Sequence, residues 1–292
     1  MNANLQCKQC LFKKNISNAK EFPKEKIENF EEGISKLINE FGDRKSAPFI
    51  QGKIDELYAE CFGKKRDFTD IKKKYNLFLL EKEEVIKNTI RESNDIISAC
   101  IRFASSGNYI DFGVVDNVDN KILDKLLDKA MSEQICEEDL LKFKNDLENA
   151  KKLVYLTDNC GEIVLDKIFI EFLKELYPHL SITTIVRGGD TLNDATLCDA
   201  EMVGLDKTVK TISNGTAIPG TDMEEISEEA KKALLDADII ISKGQGNFET
   251  MFGEGLNTYF IFMCKCEMFV ERFGLTQFSS VFLNEKDIVI KN

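Results

Sequence analysis

The chain has 292 residues, of which 43% are hydrophobic and 31% are charged, and its formal net charge is −12. This composition is typical of a globular protein, and the length is sufficient for a full core and two structural layers or subdomains. The negative charge argues against general nucleic-acid binding, which requires a basic surface. No run of about 18 apolar residues occurs, so no membrane-spanning helix is expected.

Cysteine and histidine usage limits the possible chemistry. Nine cysteines are scattered along the chain, which favours reduced thiols over a disulfide framework. The start of the sequence lacks the apolar core of a signal peptide, and we therefore expect a cytoplasmic protein. The single histidine, His179, lies between a predicted helix and a predicted strand. Ligands bind at the opposite ends of strands, so His179 is better interpreted as a surface residue than as a catalytic one.

Cys7 and Cys10 form a CxxC motif near the start of the chain. Such a pair is half of a zinc site, a redox pair, or simply two small residues in a core. No second CxxC follows, and the spacing of Cys264 and Cys266 is unusual for zinc. A second metal site and a redox pair therefore remain open beside the structural interpretation.

The first third of the chain has the apolar spacing of amphipathic helices and no strand pattern. Helices are predicted at 24–41, at 51–62, and as one or two helices within 67–104. We interpret residues 1–105 as an all-helical subdomain. Residues 120–150 return to a helical pattern and are expected to pack on a second domain, 106–292.

A turn-like stretch joins the two parts. The sequence Gly107-Asn108-Tyr109-Ile110-Asp111 places an amide and a carboxylate after a helix. Asn108 and Asp111 are therefore candidates for substrate binding. A helix that ends at a glycine and continues into a turn explains the same residues equally well.

From residue 152 strand-like and helix-like segments alternate. This alternation predicts a mostly parallel sheet flanked by helices, which is an α/β fold. The predicted strands are 153–157, 181–186, 209–213, 238–242 and 258–263, and the predicted helices between them are 161–176, 194–203, 224–236 and 246–253. Two short apolar runs, 281–283 and 288–290, are expected to add final strands.

Asp158 and Asn159 follow the first predicted strand. A carboxylate and an amide oxygen at a strand end are half of a site for a hard cation. Gly161 allows the backbone to pass close to a ligand, and the helix after it offers free N–H groups to a phosphate. The alternative is an Asp that caps a helix, followed by an Asn in a turn.

Asp194 follows the next strand and precedes a predicted helix. Neighbouring strands lie about 4.8 Å apart, so Asp194 is expected to complete a cation site with Asp158 and Asn159, unless it is only a helix cap. Arg187, in the same connection, is a natural partner for a phosphate or a carboxylate.

The loop Lys243-Gly244-Gln245-Gly246-Asn247 follows a further strand. It is not a Walker loop, because the lysine precedes both glycines. Lys243, Gly244 and Asn247 offer a charge, an open backbone and an amide to an anion. Glu249 is expected to orient Lys243.

Together these loops predict a divalent cation flanked by anion-binding groups, because helix capping does not explain Arg187 and Lys243 beside the acids. The small-residue loop 213–221 follows another strand. Its interpretation stays open between a loop that adds hydrogen bonds to a phosphate and a simple connection. Such a site suits hydrolysis of a phosphate ester, with the metal activating the attacking water. Lys243 would balance charge on the phosphoryl group in the transition state.

The stretches 158–164, 187–196 and 242–249 resemble the signature blocks of the damage-control phosphatase family, once catalogued as domain of unknown function eighty-nine. The CxxC motif and the stretch 107–113 resemble its prokaryotic, CxxC-bearing branch. The resemblance covers nearly the whole chain. It implies a helical N-terminal part and a Rossmann-like α/β part. It also implies a metal-dependent phosphatase acting on small phosphometabolites, such as sugar phosphates, nucleotides or related damaged metabolites.

The resemblance also assigns roles to residues. It implies manganese, nickel, cobalt or magnesium bound by Asp158, Asn159 and Asp194, and a catalytic role for Asp158, Asp194 and Lys243. Cys160 stands where relatives often carry alanine or serine, which favours a softer metal or an oxidation-sensitive site. The expected partner is a small phosphorylated metabolite, with no nucleic acid and no membrane; the oligomeric state is not indicated. The alternative is a non-catalytic protein that binds a phosphometabolite or nucleotide and acts in regulation.

Overall fold

A computed structural model describes residues 1–107, 125, 128, 130 and 132–289 of the chain. The candidate residues Asn108 and Asp111 therefore lie outside the described residues. Within the described residues, no helix combines the length and the apolar character needed to cross a lipid bilayer.

The regular elements within residues 1–107 are all helices, in agreement with the apolar spacing. They are α1 (Leu5–Ser17), α2 (Lys24–Phe41), α3 (Ala47–Phe62), α4 (Thr69–Arg91) and α5 (Ile96–Ser106). Helix α3 begins before the predicted position because the side chain of Ser46 accepts a hydrogen bond from the backbone N–H of Phe49. The Asp95 side chain caps α5 in the same way and separates it from α4. The division of the chain at residue 105 stays a prediction.

Within the described residues after 132, helix α6 (Glu137–Asn149) is followed by alternating strands and helices. The strands are β1 (Lys152–Leu156), β2 (Ser181–Val186), β3 (Lys210–Ser213), β4 (Ile239–Lys243), β5 (Thr258–Met263) and β6 (Ser280–Asn284). The helices are α7 (Glu162–Leu176), α8 (Leu197–Val203), α9 (Leu205–Thr208), α10 (Glu228–Leu235), α11 (Gln245–Met251) and α12 (Glu267–Phe273). The prediction of a last strand at 288–290 is wrong for residues 288 and 289, because a 3₁₀ turn at Glu285–Asp287 follows β6 and an irregular segment comes next.

The six strands form one sheet in the order β3-β2-β1-β4-β5-β6. The pairs among β1 to β5 are parallel, and β6 is antiparallel to β5. This confirms the Rossmann-like α/β prediction. The strand order reverses at β1, which lies between β2 and β4. Ligands of open α/β sheets bind at the carboxyl ends of strands at such a reversal. The loops after β1, β2 and β4 are therefore the expected position of a ligand site.

Helices cover both faces of the sheet. Alternate residues of β1 and β4 point to opposite faces: Tyr155 and Ile241 belong to one buried cluster, and Val154 and Ile240 belong to the other. The first cluster includes buried residues of α4, α5 and α7, and the second includes those of α1, α2 and α3. The helical part therefore encloses the sheet rather than standing apart from it.

Candidate active site

Backbone hydrogen bonds join the loop after β1 to the loop after β2. The N–H of Cys160 donates to the carbonyl of Asn193 at 2.9 Å, and the N–H of Ala195 donates to the carbonyl of Asp158 at 2.8 Å. Asn159 and Asp194 face each other in an isolated antiparallel bridge. The structure thus brings Asp158, Asn159 and Asp194 together, at the carboxyl edge of the sheet.

Gly244 places the loop after β4 against the same carboxylates. Its φ angle is +83°, and a Cβ atom at this position would lie 2.1 Å from the carboxyl group of Asp158. Only glycine combines this backbone conformation with such a close approach. Three loops from three adjacent strands therefore converge on Asp158.

Arg187 reaches both carboxylates from inside the protein. Its side chain is 1% exposed, its Nε donates to Oδ2 of Asp194 at 2.6 Å, and its Nη2 lies 3.8 Å from Oδ1 of Asp158. Its Nη1 donates to the hydroxyl of Thr221 at 3.2 Å. Among the described residues, Nη2 has no hydrogen-bond partner. A buried guanidinium with an unused donor beside two acids is suited to hold a phosphate oxygen.

Lys243 is held by Glu162 and Asp166, two acids that were not among the predicted site residues. Its Nζ lies 2.9 Å from Oδ1 of Asp166 and 3.3 Å from Oε2 of Glu162, and all three side chains are fully buried. The prediction that Glu249 orients Lys243 was wrong, because the Glu249 carboxylate instead accepts a hydrogen bond from Nε2 of Gln245 at 3.1 Å. The spacing of Glu162 and Asp166 by four residues on α7, directly after the Asp158 loop, is the signal that places both on one helix face.

The amide of Asn159 connects Glu162 to the carboxylate of Asp158. Its Nδ2 donates to Oδ2 of Asp158 at 2.7 Å and to Oε1 of Glu162 at 2.9 Å. Both N–H bonds of the amide are therefore used within the protein. Its oxygen is the atom suited to a cation.

The acids of the site favour a nearby cation. Burial, together with the charges of Asp194 and Glu162, raises the pKa of Asp158 well above its usual value. Burial also raises the pKa of Asp194, although the neighbouring Arg187 opposes this. Two carboxylates and one amide oxygen fit a hard divalent ion, which would offset the repulsion between the acids. No group of three or more His, Cys, Asp or Glu side chains among the described residues is arranged to hold a metal, so an ion here would rest on Asp158, Asp194 and Asn159.

Among the described residues, no cysteine belongs to a group of three or more His, Cys, Asp or Glu side chains placed to hold a metal. Every cysteine is free; Cys7 is buried in α1 and Cys10 is exposed. Burial raises the pKa of the Cys7 thiol to about 11, which disfavours the reactive thiolate. Cys160 is also fully buried, and burial raises its pKa, which favours neither a softer metal nor oxidation at this position. A metal or redox role for Cys7 and Cys10 stays a prediction.

Other candidates have structural partners. Nδ2 of Asn247 donates to the carbonyls of Lys243 at 2.7 Å and Thr157 at 3.0 Å, and therefore ties the end of β4 to the end of β1. Nε2 of His179 lies 3.1 Å from the carbonyl oxygen of Leu147, before β2 begins and far from the carboxyl edge. Gly107 lies against Glu162, since a Cβ atom on it would come within 2.8 Å of the Glu162 Cγ.

Two cavities open beside these loops. One has a volume of about 390 Å³ and is lined by residues that include Lys72, Arg187, Gly188 and Asp199. The other, of about 340 Å³, is lined by residues that include Arg66, Thr191 and Leu192. Leu192 has a φ angle of 44°, a conformation that non-glycine residues seldom adopt and that is often found at functional sites. Each volume is in the range of small-molecule sites.

Comparison with known proteins connects this geometry to a family. A family model described as damage-control phosphatase ARMT1-like domain matches residues 3–281. The chain is 30% identical to a damage-control phosphatase from Pyrococcus horikoshii, over 80% of this chain and 79% of the relative. It is 28% identical to a damage-control phosphatase from Archaeoglobus fulgidus, over 84% and 85%. An uncharacterised protein from Methanocaldococcus jannaschii is 29% identical over 95% and 94%.

A solved structure shows the same fold. A crystal structure of a DUF89 family protein from Pyrococcus horikoshii superposes with a TM-score of 0.85 at 24% identity, covering 98% of this chain and 99% of that one. These comparisons confirm the family that the three sequence blocks indicate, while the CxxC-bearing branch stays a prediction. With the family model spanning all but the two ends of the chain, this protein belongs to the damage-control phosphatase ARMT1-like family.

Proposed function

We propose that this protein is a metal-dependent phosphatase that hydrolyses phosphate monoesters of small metabolites, such as sugar phosphates, nucleotides or damaged metabolites. The observation that carries the proposal is the contact of one buried arginine, Arg187, with two acids from different loops, Asp158 and Asp194. Such an arrangement would offer groups for a cation and for an anion side by side, which supports the proposal. Two relatives that cover about four-fifths of the chain are named damage-control phosphatases.

Asp158, Asp194 and the amide oxygen of Asn159 would hold the divalent ion. When bound, manganese, nickel, cobalt or magnesium would supply Lewis acidity toward a phosphoryl oxygen and the attacking water. Because Nδ2 of Asn159 is fixed by Asp158 and Glu162, the amide is oriented before any ligand arrives. Preorganised ligands avoid a reorganisation cost during the reaction.

Arg187 would bind the phosphoryl group through its unused Nη2 donor. Lys243 is fully buried and pairs with Asp166 and Glu162, so its direct effect is on the charge of these acids. We propose that Lys243 lowers the negative potential that the buried acids would otherwise impose on an incoming phosphate. The cavities beside the loops provide space for the alcohol part of the ester.

The test is phosphate release by protein that has been stripped of metal and refilled separately with manganese, nickel, cobalt or magnesium. The substrates are a panel of sugar phosphates, nucleotides and a chromogenic phosphate ester. We expect release that depends on the added ion and that Asp194→Asn abolishes. Release that is unaffected by metal removal would contradict the proposed metal dependence.

A non-catalytic protein that binds phosphometabolites is the competing function. It predicts saturable binding of a sugar phosphate or nucleotide, measured by calorimetry, with no phosphate release in any metal form. The same panel therefore separates the two functions.

A further inference from the structure

Asn76 on helix α4 contacts the loop that carries Asp158 and Asn159 and also the helix that follows the loop of Asp194. Its side chain is fully buried. Its Oδ1 accepts a hydrogen bond from the backbone N–H of Gly161 at 2.6 Å. Its Nδ2 donates to Oδ1 of Asp199 at 2.9 Å. One amide thus links the loop after β1 to the segment after β2.

The Gly161 side of this link supports an unusual backbone. Gly161 has φ 77° and ψ −61°, a conformation outside the regions that other residues favour. Its N–H points into the protein, where an unpaired donor is costly. Asn76 supplies the acceptor. The bond fixes the loop two residues after Asn159, which is one of the proposed ligands.

The Asp199 side of the link is rigid as well. Oδ2 of Asp199 accepts hydrogen bonds from the backbone N–H and the hydroxyl of Thr196, both at 2.9 Å, and so caps α8. The same oxygen lies 2.7 Å from Nζ of Lys72, one turn before Asn76 on α4. Asp199 therefore anchors α4 to the segment that follows Asp194.

We infer that Asn76 is a positioning residue that sets the Asp158 and Asn159 loop relative to the Asp194 loop, so that the helical part of the chain is a component of the metal site. This inference rests on the metal binding in the proposed function and is independent of whether hydrolysis follows. Backbone hydrogen bonds also join the two loops, so losing Asn76 weakens the site rather than dispersing it.

The test is calorimetric measurement of the manganese dissociation constant of the stripped full-length protein. Groups that orient metal ligands typically contribute about tenfold to a hundredfold in metal affinity. We expect Asn76→Ala to raise the dissociation constant by about tenfold or more. The matched control is Leu79→Ala, another fully buried residue of α4; it removes core packing but neither loop contact, so it should lower the melting temperature and leave the dissociation constant within about twofold.

Equal manganese affinity of Asn76→Ala and the unchanged protein would overturn the inference, as would an equal loss in Leu79→Ala. Should Asn76→Ala not fold, Asn76→Ser serves, because it keeps a polar group but is too short to join both partners. The same weakening is expected for it. Manganese binding without phosphate release would reject the proposed phosphatase while still testing Asn76. Absence of manganese binding by the unchanged protein would overturn both, because no ligand set would exist to be positioned.

Discussion

The ammonium group of Lys243 lies 2.9 Å from the carboxylate of Asp166, and neither side chain is exposed to solvent. Burial alone would lower the pKa of Lys243, but Asp166 and Glu162 reverse this and raise it. The hydroxyl of Tyr155 donates to the same Asp166 oxygen at 2.7 Å. The centre of the fold therefore contains a charged network whose members depend on one another.

Lys243→Met should destabilise the protein strongly, because it leaves Glu162 and Asp166 buried without their cation. Breaking a buried ion pair by removing one partner costs about 3–5 kcal/mol. The measurement is urea unfolding followed by circular dichroism. Lys210→Met is the control, since Lys210 pairs with Glu229 on the surface, where an ion pair contributes about 0–1 kcal/mol. Similar losses in the two variants would contradict the importance of the buried network.

Asp194→Asn should weaken manganese binding by about tenfold or more, because it removes one of two proposed carboxylate ligands and the charge partner of Arg187. The matched control is Asp190→Asn in the same loop, whose side chain is 76% exposed and lies outside the proposed ligand set. Calorimetry on stripped protein measures both. If Asp190→Asn weakens binding as much as Asp194→Asn does, the assignment of Asp194 is wrong.

Gly244→Ala should abolish phosphate release, because its Cβ would collide with the Asp158 carboxylate. Gly253→Ala is a control that separates strain from collision: Gly253 has φ +102°, and its added Cβ would meet nothing within 4 Å. The control should lose roughly 1 kcal/mol of stability from backbone strain and retain activity. Melting curves and phosphate release together distinguish the variants. Full activity in Gly244→Ala would show that the loop after β4 does not approach Asp158 this closely.

Glu249 should make the protein less stable as the pH rises toward neutrality. Burial raises the pKa of its carboxyl group from 4.5 to about 7 in the folded protein. Between these two values the folded state binds more protons than the unfolded state, so the free energy of unfolding falls as the pH increases. The full contribution is about 3 kcal/mol, reached above the folded pKa.

Glu249→Gln should remove this dependence and be more stable than the unchanged protein at pH 8, with little difference at pH 4. Urea unfolding at several pH values measures this difference in the free energy of unfolding. Glu267→Gln, an exposed position, changes the net charge equally and is the control. A difference between Glu249→Gln and the unchanged protein that does not vary with pH would refute the role of Glu249 titration.

The sequence was sufficient to predict a mostly parallel sheet and the proximity of Asp158 to Asp194. Both depend on local patterns: strand-like runs alternate with helices, and polar residues follow the strand ends. The ion-pair partners of Lys243 were harder to predict from the sequence. Glu162 and Asp166 resemble ordinary polar residues of an amphipathic helix until α7 is placed against β4. Asn76 was not predictable from local pattern, since it lies 85 residues before Gly161 in a helix whose neighbours only the folded chain reveals.

The position of β1 between β2 and β4 has a consequence for how the protein matures during synthesis. Helices α1 to α5 leave the ribosome before strands β1 to β6, on which they pack, have been made. The Asp158 loop obtains its Gly244 neighbour only after β4 has been made and inserted beside β1. Pairings between such distant parts of a chain form slowly. The protein therefore acquires the ability to bind a ligand at this edge late in folding. A complete site requires nearly the whole chain to be in its native arrangement.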